Sequence, residues 1–145
     1  MIDRAPVTEA VRRLIESSTK RPCGLAELPY VDGPSGLAPA EPPYTVLYPV
    51  GGSITGPPFG DSTADASYVY QLTIMAERAD QAEWLTDRGR RALLERRPNG
   101  AWLNEIDLPG AAVMARQLVE DTGLHAEGTT VTSVLRVRLD LTPTA

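Results

Sequence analysis

Residues 130–141 constrain the fold more than any other segment, because a mainly apolar set of side chains alternates with a mainly polar set. One face would carry Val131, Ser133, Leu135, Val137, Leu139 and Leu141, and the other Thr132, Val134, Arg136, Arg138 and Asp140. A repeat of two residues places alternate side chains on opposite faces of a β-strand. The polar second face predicts a sheet with one side that is wet or meets a partner.

Two other segments have the spacing of amphipathic helices. Residues 6–15 place apolar side chains on one stripe, and this helix should stop before Pro22. Residues 80–96 form a second stripe of small and apolar side chains. Asp80 could cap this helix, with Glu83 at the capping-box position.

Three further segments are predicted as strands. Residues 44–48 are rich in β-formers and end at Pro49, and residues 67–76 alternate between two faces. These two pair most simply as antiparallel neighbours. Residues 113–119 could be a strand or a helix, and the last strand's need for a partner favours a strand.

Long segments rich in Gly and Pro separate these elements, at 23–43 and around 50–61. The resulting order is helix, strand, strand, helix, strand, strand. It predicts an α+β fold with two helices packed on one face of a mainly antiparallel four-stranded sheet. A chain of 145 residues is the usual size of one domain, so residues 1–145 are expected to form a single domain.

Composition excludes several classes of protein. The formal net charge of −5 disfavours a coat on nucleic acid, which needs Lys and Arg in excess. A single cysteine, Cys23, cannot form an intrachain disulfide or a thiolate metal cluster. The sequence has no apolar run of the ~20 residues that span a bilayer and no signal-peptide pattern, so we expect no membrane contact and a protein that stays in the cytoplasm where it is made.

Residues able to perform chemistry are few and scattered. His125 stands alone in a predicted turn, where a solvated side chain is the simplest interpretation, and Cys23 reads as a small buried side chain. Asp61 and Asp65 could act as acid and base, but a polar turn explains them better. The Gly-rich segment 50–56 lacks the Lys and helix start of a phosphate loop. We therefore expect no enzymatic activity, no cofactor, no metal and no small-molecule substrate.

Exposed aromatic residues and long loops instead suggest protein contacts, since aromatic side chains anchor interfaces. The arginines of residues 88–97 form the one basic cluster and suit intersubunit or surface ion pairs. DNA contact through this cluster is the less favoured interpretation.

The chain resembles the tail terminator, or tail completion, proteins of siphophages that infect actinobacteria. The resemblance covers nearly the whole chain and rests on the order of its segments: GLAELP at 24–29, PYTVLYPVGG at 43–52, GPPFGD at 56–61, ADASYVYQ at 64–71, DQAEWLTDR at 80–88 and RVRL at 136–139. The stretch from GPPFGD to QAEWL carries most of the weight, and none of the segments is a catalytic motif.

This resemblance implies a hexameric ring on the head-proximal end of the phage tail tube. Such a ring ends tube polymerisation and joins the tail to the connector or stopper protein of the head and neck. DNA would pass through its lumen without specific binding, and the protein would reside in the virion.

Interface residues are hypotheses within this resemblance. The loop of residues 51–67 would contact the tube or a neighbouring subunit, and the second helix would pack in the ring. The candidate interface residues are Tyr48, Ile54, Pro57, Phe59, Asp61, Trp84, Arg88 and Arg91. Two alternatives stay open: another neck protein, such as a head-closure or stopper subunit, and a small-ligand-binding or enzymatic α+β domain.

Overall fold

The structure is a computed structural model that describes residues 2–55 and 65–144. Its elements are, in order, α1 (Arg4–Thr19), β1 (Cys23–Leu25), β2 (Tyr30–Gly33), β3 (Gly36–Pro39), β4 (Tyr44–Thr55), β5 (Asp65–Ala76), α2 (Ala79–Leu94), β6 (Ala111–Asp121), β7 (His125–Glu127) and β8 (Thr130–Pro143).

The main sheet has six strands in the order β1-β4-β5-β8-β6, with β7 paired to β8 beside β6. All its pairings are antiparallel except that of β1 with β4, which is parallel. The α+β class and the mainly antiparallel sheet are therefore confirmed. The prediction of four strands, in the order helix, strand, strand, helix, strand, strand, was wrong because three short strands precede β4 and β7 precedes β8.

Both helices pack on the same face of the sheet, as predicted. One core cluster contains Val7, Val11 and Ile15 of α1, Leu85 and Leu93 of α2, and the even-numbered side chains Tyr68 to Ile74 of β5. The hydroxyls of Thr8 and Tyr70, 2.9 Å apart in the interior, tie α1 to this face. In β8, all six side chains expected on the apolar face are buried. Strict alternation thus identified the buried face correctly.

The second helix begins differently from the prediction. Arg78, rather than Asp80, is the N-cap residue, and it makes no side-chain capping bond. Asp80 lies inside the first turn and pairs with Arg78 at 3.1 Å. An acid in the first turn still complements the helix dipole, so its position is favourable without a cap.

Residues 23–43 contain more structure than their Gly and Pro content predicted. β1 pairs with the start of β4, and β2 and β3 form a separate two-stranded sheet. Each of these two strands is only four residues long. β2 ends at Gly33, and β3 runs from Gly36 to Pro39, so glycine or proline stands where each strand stops. The turn predicted around His125 likewise contains the three-residue strand β7.

Candidate interaction surfaces

A bulge in β4 decides where Tyr48 and Ile54 lie. The register with β5 shifts between Pro49 and Gly51, and Gly51 takes a φ of +130°. Residues directly opposite in a sheet share a face. Tyr48 lies opposite Gln71 on the face away from the helices, and Ile54 lies opposite Ala66 on the helix face. The two candidate residues are therefore on opposite faces, although both side chains are exposed.

The strand itself continues through Pro49 to Thr55, which corrects the prediction that Pro49 ends it. Proline is tolerated at bulges and along unpaired strand edges. β1 pairs with β4 only at residues 45–47, so among residues 2–55 and 65–144 no strand pairs with that side of β4 at Pro49. The candidates Pro57, Phe59 and Asp61 lie outside the described residues.

The remaining candidates form an exposed stripe on α2. Arg88 lies over the ring of Trp84, with its guanidinium carbon 5.2 Å from the ring centroid. Trp84, Arg88 and Arg91 are all exposed, opposite the buried stripe that Ala82, Leu85 and Gly89 begin. Within the described residues, neither Arg88 nor Arg91 forms an ion pair. This stripe is accessible to a partner.

Other arginines of the predicted basic cluster are used within the chain. Arg90 pairs with Asp87 at 2.6 Å and with Asp121 at 3.1 Å. Arg96 donates a hydrogen bond to the carbonyl of Gly100 and lies 3.9 Å from the centroid of Trp102. Arg90 therefore forms surface ion pairs within the chain, whereas the contacts of Arg96 are with a carbonyl group and an aromatic ring.

The sheet face away from the helices, the open face, carries a row of paired polar side chains. Arg136 donates to the Gln71 side chain at 3.0 Å and lies 3.5 Å from the Glu120 carboxylate. Arg138 donates to the Gln117 side chain at 2.8 Å and lies 3.4 Å from the carboxylate of Asp140. Each arginine therefore contacts one carboxylate, which offsets its positive charge, and one side-chain amide, both from the main sheet.

The residues first considered for chemistry are dispersed. His125 is exposed on β7, and Asp65 is exposed at the start of β5. Cys23 is buried, and burial raises the pKa of its thiol to about 11. In the described part of the chain, no three His, Cys, Asp or Glu side chains lie close enough to hold a metal ion. No helix among those residues is long and apolar enough to cross a membrane.

The chain aligns with a chain in the solved structure of the virion of a native gene transfer agent particle, with a TM-score of 0.58 and 10% identity, over 93% of each chain. The two chains share a fold. No protein family and no curated protein sequence matches this chain.

Sequence reasoning missed two groups of exposed apolar side chains. One lies on β1 and the β2–β3 hairpin, and the other lies on β6 and the turn after it. The first was hidden because residues 23–43 were interpreted as loop. The second was hidden because alternation alone cannot show that Met114 and Val119 occupy bulges in β6.

Proposed function

We propose that this chain is a structural subunit of a phage-like virion, in which it forms a ring that caps the head-proximal end of a tail tube. The observation that carries the proposal is the shared fold with a virion chain over 93% of both lengths. The shared region extends across nearly the whole of each chain. The tail-terminator resemblance of the sequence supports the more specific role.

The surface chemistry suits a subunit that works by contact. Exposed large apolar side chains occur at both edges of the sheet and on α2. Such side chains favour burial against another protein. We therefore assign the chain an assembly role, with itself, the tube protein and the head-neck connector as partners, and no catalytic role.

The open face suits a channel through which DNA passes. Phosphates bind arginines that lack a nearby acid, and binding weakens as each positive charge is neutralised. Arg136 and Arg138 both have an acid from the same sheet beside them. In the proposed ring this face lines the lumen, and its balanced charges let DNA slide through without being retained.

Tube growth in vitro tests the capping role. Purified tail tube protein is polymerised with and without this chain, and tube lengths are measured by electron microscopy. We expect short tubes with the chain attached at one end only. Tubes of unchanged length, without attached protein, would refute the capping role. Binding to the head connector but not to the tube would favour a head-closure subunit instead.

A pair of variants tests the lumen assignment. Glu120→Gln combined with Asp140→Asn removes the acids beside the two open-face arginines. Glu77→Gln combined with Glu83→Gln changes the net charge equally at exposed positions elsewhere. Only the first pair should leave DNA trapped in assembled tails, seen as ejection that slows and becomes dependent on salt. Equal ejection rates for both pairs would mean that the open face does not line the channel.

A further inference from the structure

A small cavity lies where α2 meets β8 and the turn after β6. Its volume is about 240 Å³. Six of the side chains that line it are polar or charged: Glu83, Thr86, Asp87, Arg90, Asp121 and Ser133. A lining of this kind suits a small polar ligand.

The Ser133 side chain contributes a hydroxyl group without a partner to this cavity. Ser133 lies opposite Ile74 on the helix face of the sheet, and only 1% of it is exposed. Within residues 2–55 and 65–144, its Oγ forms no hydrogen bond. Buried hydroxyl groups are nearly always hydrogen-bonded, because an unpaired one costs free energy. The Ser133 hydroxyl therefore marks a position where a ligand atom can complete a hydrogen bond.

Thr86 contributes a second buried hydroxyl to the same cavity. This group donates its proton to the carbonyl of Ala82 at 2.7 Å. A hydroxyl oxygen that donates once can still accept a hydrogen bond. Both Ser133 and Thr86 can therefore accept a hydrogen bond from a donor inside the cavity.

Negative charge is in excess around the cavity, where three acids and one arginine are found. Arg90 pairs with Asp87 at 2.6 Å and with Asp121 at 3.1 Å, so one guanidinium serves two carboxylates. Glu83 is exposed and forms no ion pair with any other described residue. The acids thus keep their excess of charge after every ion pair has been counted.

The helix dipole explains only part of this arrangement. Acids are favourable near the start of a helix, which accounts for Glu83 and Asp87 on α2. The dipole does not account for Asp121 at the end of β6, nor for the unpaired hydroxyl of Ser133 on β8. A cation that also donates hydrogen bonds would satisfy both the charge and the hydroxyl.

We propose that this cavity binds a primary alkylammonium group. An ammonium group carries one positive charge, three N–H donors and no acceptor. The hydroxyl oxygens of Ser133 and Thr86 and the carboxylate of Glu83 provide three acceptors for it.

Two other kinds of cation fit the cavity less well. In the described ranges, no three His, Cys, Asp or Glu side chains lie close enough to hold a metal ion. A planar guanidinium binds best to a carboxylate that it can grip with two N–H groups. Asp87 and Asp121 already bind the guanidinium of Arg90, which leaves the dispersed acceptors that suit a compact ammonium group.

Saturation-transfer NMR with n-butylammonium chloride tests the site, since this method detects weak ligands on proteins and assemblies of any size. We expect saturable binding with a dissociation constant on the order of 1 mM. Tetramethylammonium chloride is the matched probe, because it has the same charge and no N–H donor. It should give no saturable signal at the same ionic strength.

Two outcomes of this titration would contradict the proposal. Equal signals from the two salts would mean that the acids attract cations only diffusely. No saturable binding of butylammonium would mean that water is a sufficient partner for the Ser133 hydroxyl.

Substitutions locate the bound ammonium. Ser133→Ala removes the buried hydroxyl, and Glu83→Gln removes the carboxylate without a partner. Each should weaken butylammonium binding about tenfold, the effect of losing one hydrogen bond to a charged group. Both variants should fold normally, because neither side chain forms a hydrogen bond or ion pair with another described residue, and thermal unfolding would verify this.

Glu41→Gln is the matched control for Glu83→Gln. Glu41 is an exposed acid that precedes β4 and does not line the cavity. This variant changes the net charge equally and should bind butylammonium like the unmodified chain. An affinity unchanged by either Ser133→Ala or Glu83→Gln would refute the site.

The ammonium group could belong to a lysine side chain of a partner protein or to a free diamine. Tighter binding of N-acetyl-lysine methylamide than of butylammonium would identify a lysine side chain. Tighter binding of 1,4-diaminobutane would identify a free diamine, and either result supports the site. Binding requires neither a ring nor a tail tube, so its failure would leave the capping role standing, and the reverse also holds.

Discussion

Arg116 and Trp102 join the connector after α2 to the edge strand β6. The guanidinium carbon of Arg116 lies 4.6 Å from the centroid of the Trp102 ring, and Arg96 lies over the same ring. Arg116 also donates to the carbonyls of Leu93 at 3.0 Å and Asn104 at 2.7 Å. Only 7% of this side chain is exposed, and burial lowers its pKa. Its charge is therefore stabilised by carbonyl dipoles and an aromatic ring.

Replacing Arg116 by Met should lower the free energy of unfolding by about 2 kcal/mol, since two charge-assisted hydrogen bonds and a cation–π contact are lost, while relief of the buried charge offsets part of the loss. Arg138→Met, on the exposed face of the neighbouring strand β8, is the control and should change stability by less than about 0.5 kcal/mol. The free energies of unfolding of both variants can be measured by urea denaturation. An Arg116→Met chain as stable as the original would show that the carbonyls find other donors.

A second prediction concerns Gly52, which faces Tyr68 across the β4–β5 pair. A Cβ atom on Gly52 would lie 2.7 Å from Cδ1 of Tyr68 and nearer still to the carbonyl oxygen of Ser67. The backbone would have to move, so Gly52→Ala should lower stability by about 2 kcal/mol. Ser53→Ala, one position along the same strand, should have almost no effect. Equal melting temperatures for the two variants would contradict the close approach.

The loss of folding stability at acid pH should depend on the carboxylate of Glu9. Hydrogen bonds from Arg12 hold the pKa of Glu9 at about 2, below its ordinary 4.5. A lowered folded-state pKa contributes stability that is full above pH 4.5 and is lost as pH falls toward 2. Because 39% of the Glu9 side chain is exposed, solvent screening limits the effect to about 1 kcal/mol or less.

Glu9→Gln should therefore be less stable than the unmodified chain at pH 7 and should converge with it near pH 2. Chemical unfolding across this range provides the measurement. Glu77→Gln, at an exposed position, is the control and should run parallel to the unmodified chain. A constant difference between Glu9→Gln and the original at every pH would rule out titration of Glu9 as the cause.

Cys23 should react slowly with thiol reagents in the folded protein. Burial raises the pKa of its thiol from 9.0 to about 11, which at pH 8 reduces the thiolate fraction about 100-fold. Colour development with a disulfide reagent should be slower than in the urea-unfolded chain by at least this factor. An exposed thiol at Leu37→Cys is the positive control and should react at once. Fast labelling of Cys23 would mean that the β1 region opens readily.

The raised pKa of the Cys23 thiol should also affect folding stability at alkaline pH. The unfolded chain loses the thiol proton near pH 9 and the folded chain only near pH 11, so stability should fall as pH rises between these values. Cys23→Ala removes this contribution and should flatten the curve over that interval. A slope unchanged by the substitution would assign the alkaline loss to other groups.

Much of the framework could be predicted from the sequence because it depends on periodicity. In β5 and β8, alternation places apolar side chains on one face wherever the strand lies, and that face is the buried one. The stripes of α1 and α2 follow the same logic with a helical period. The strand β6, predicted only for residues 113–119, is confirmed and longer.

What the sequence could not supply were the features set by pairing between distant residues. The β4 bulge moves Ile54 to the face opposite Tyr48, and it is visible only from the register against β5. β1 to β3 are too short to have a periodic pattern, and they form because β4 and each other offer hydrogen-bonding partners. Pro57, Phe59 and Asp61, outside the described residues, stay predictions.

The sequence by itself determined which faces of the long elements are buried, because side-chain spacing along one element is a local property. The tertiary structure alone decided the strand order, the two opposite apolar edges, and the environment of Arg116. Each of these depends on which segments meet, and Arg116 meets a carbonyl that lies 23 residues away in the chain. Periodicity along one element does not show which distant segments come into contact, since these contacts are fixed by the packing of the whole chain.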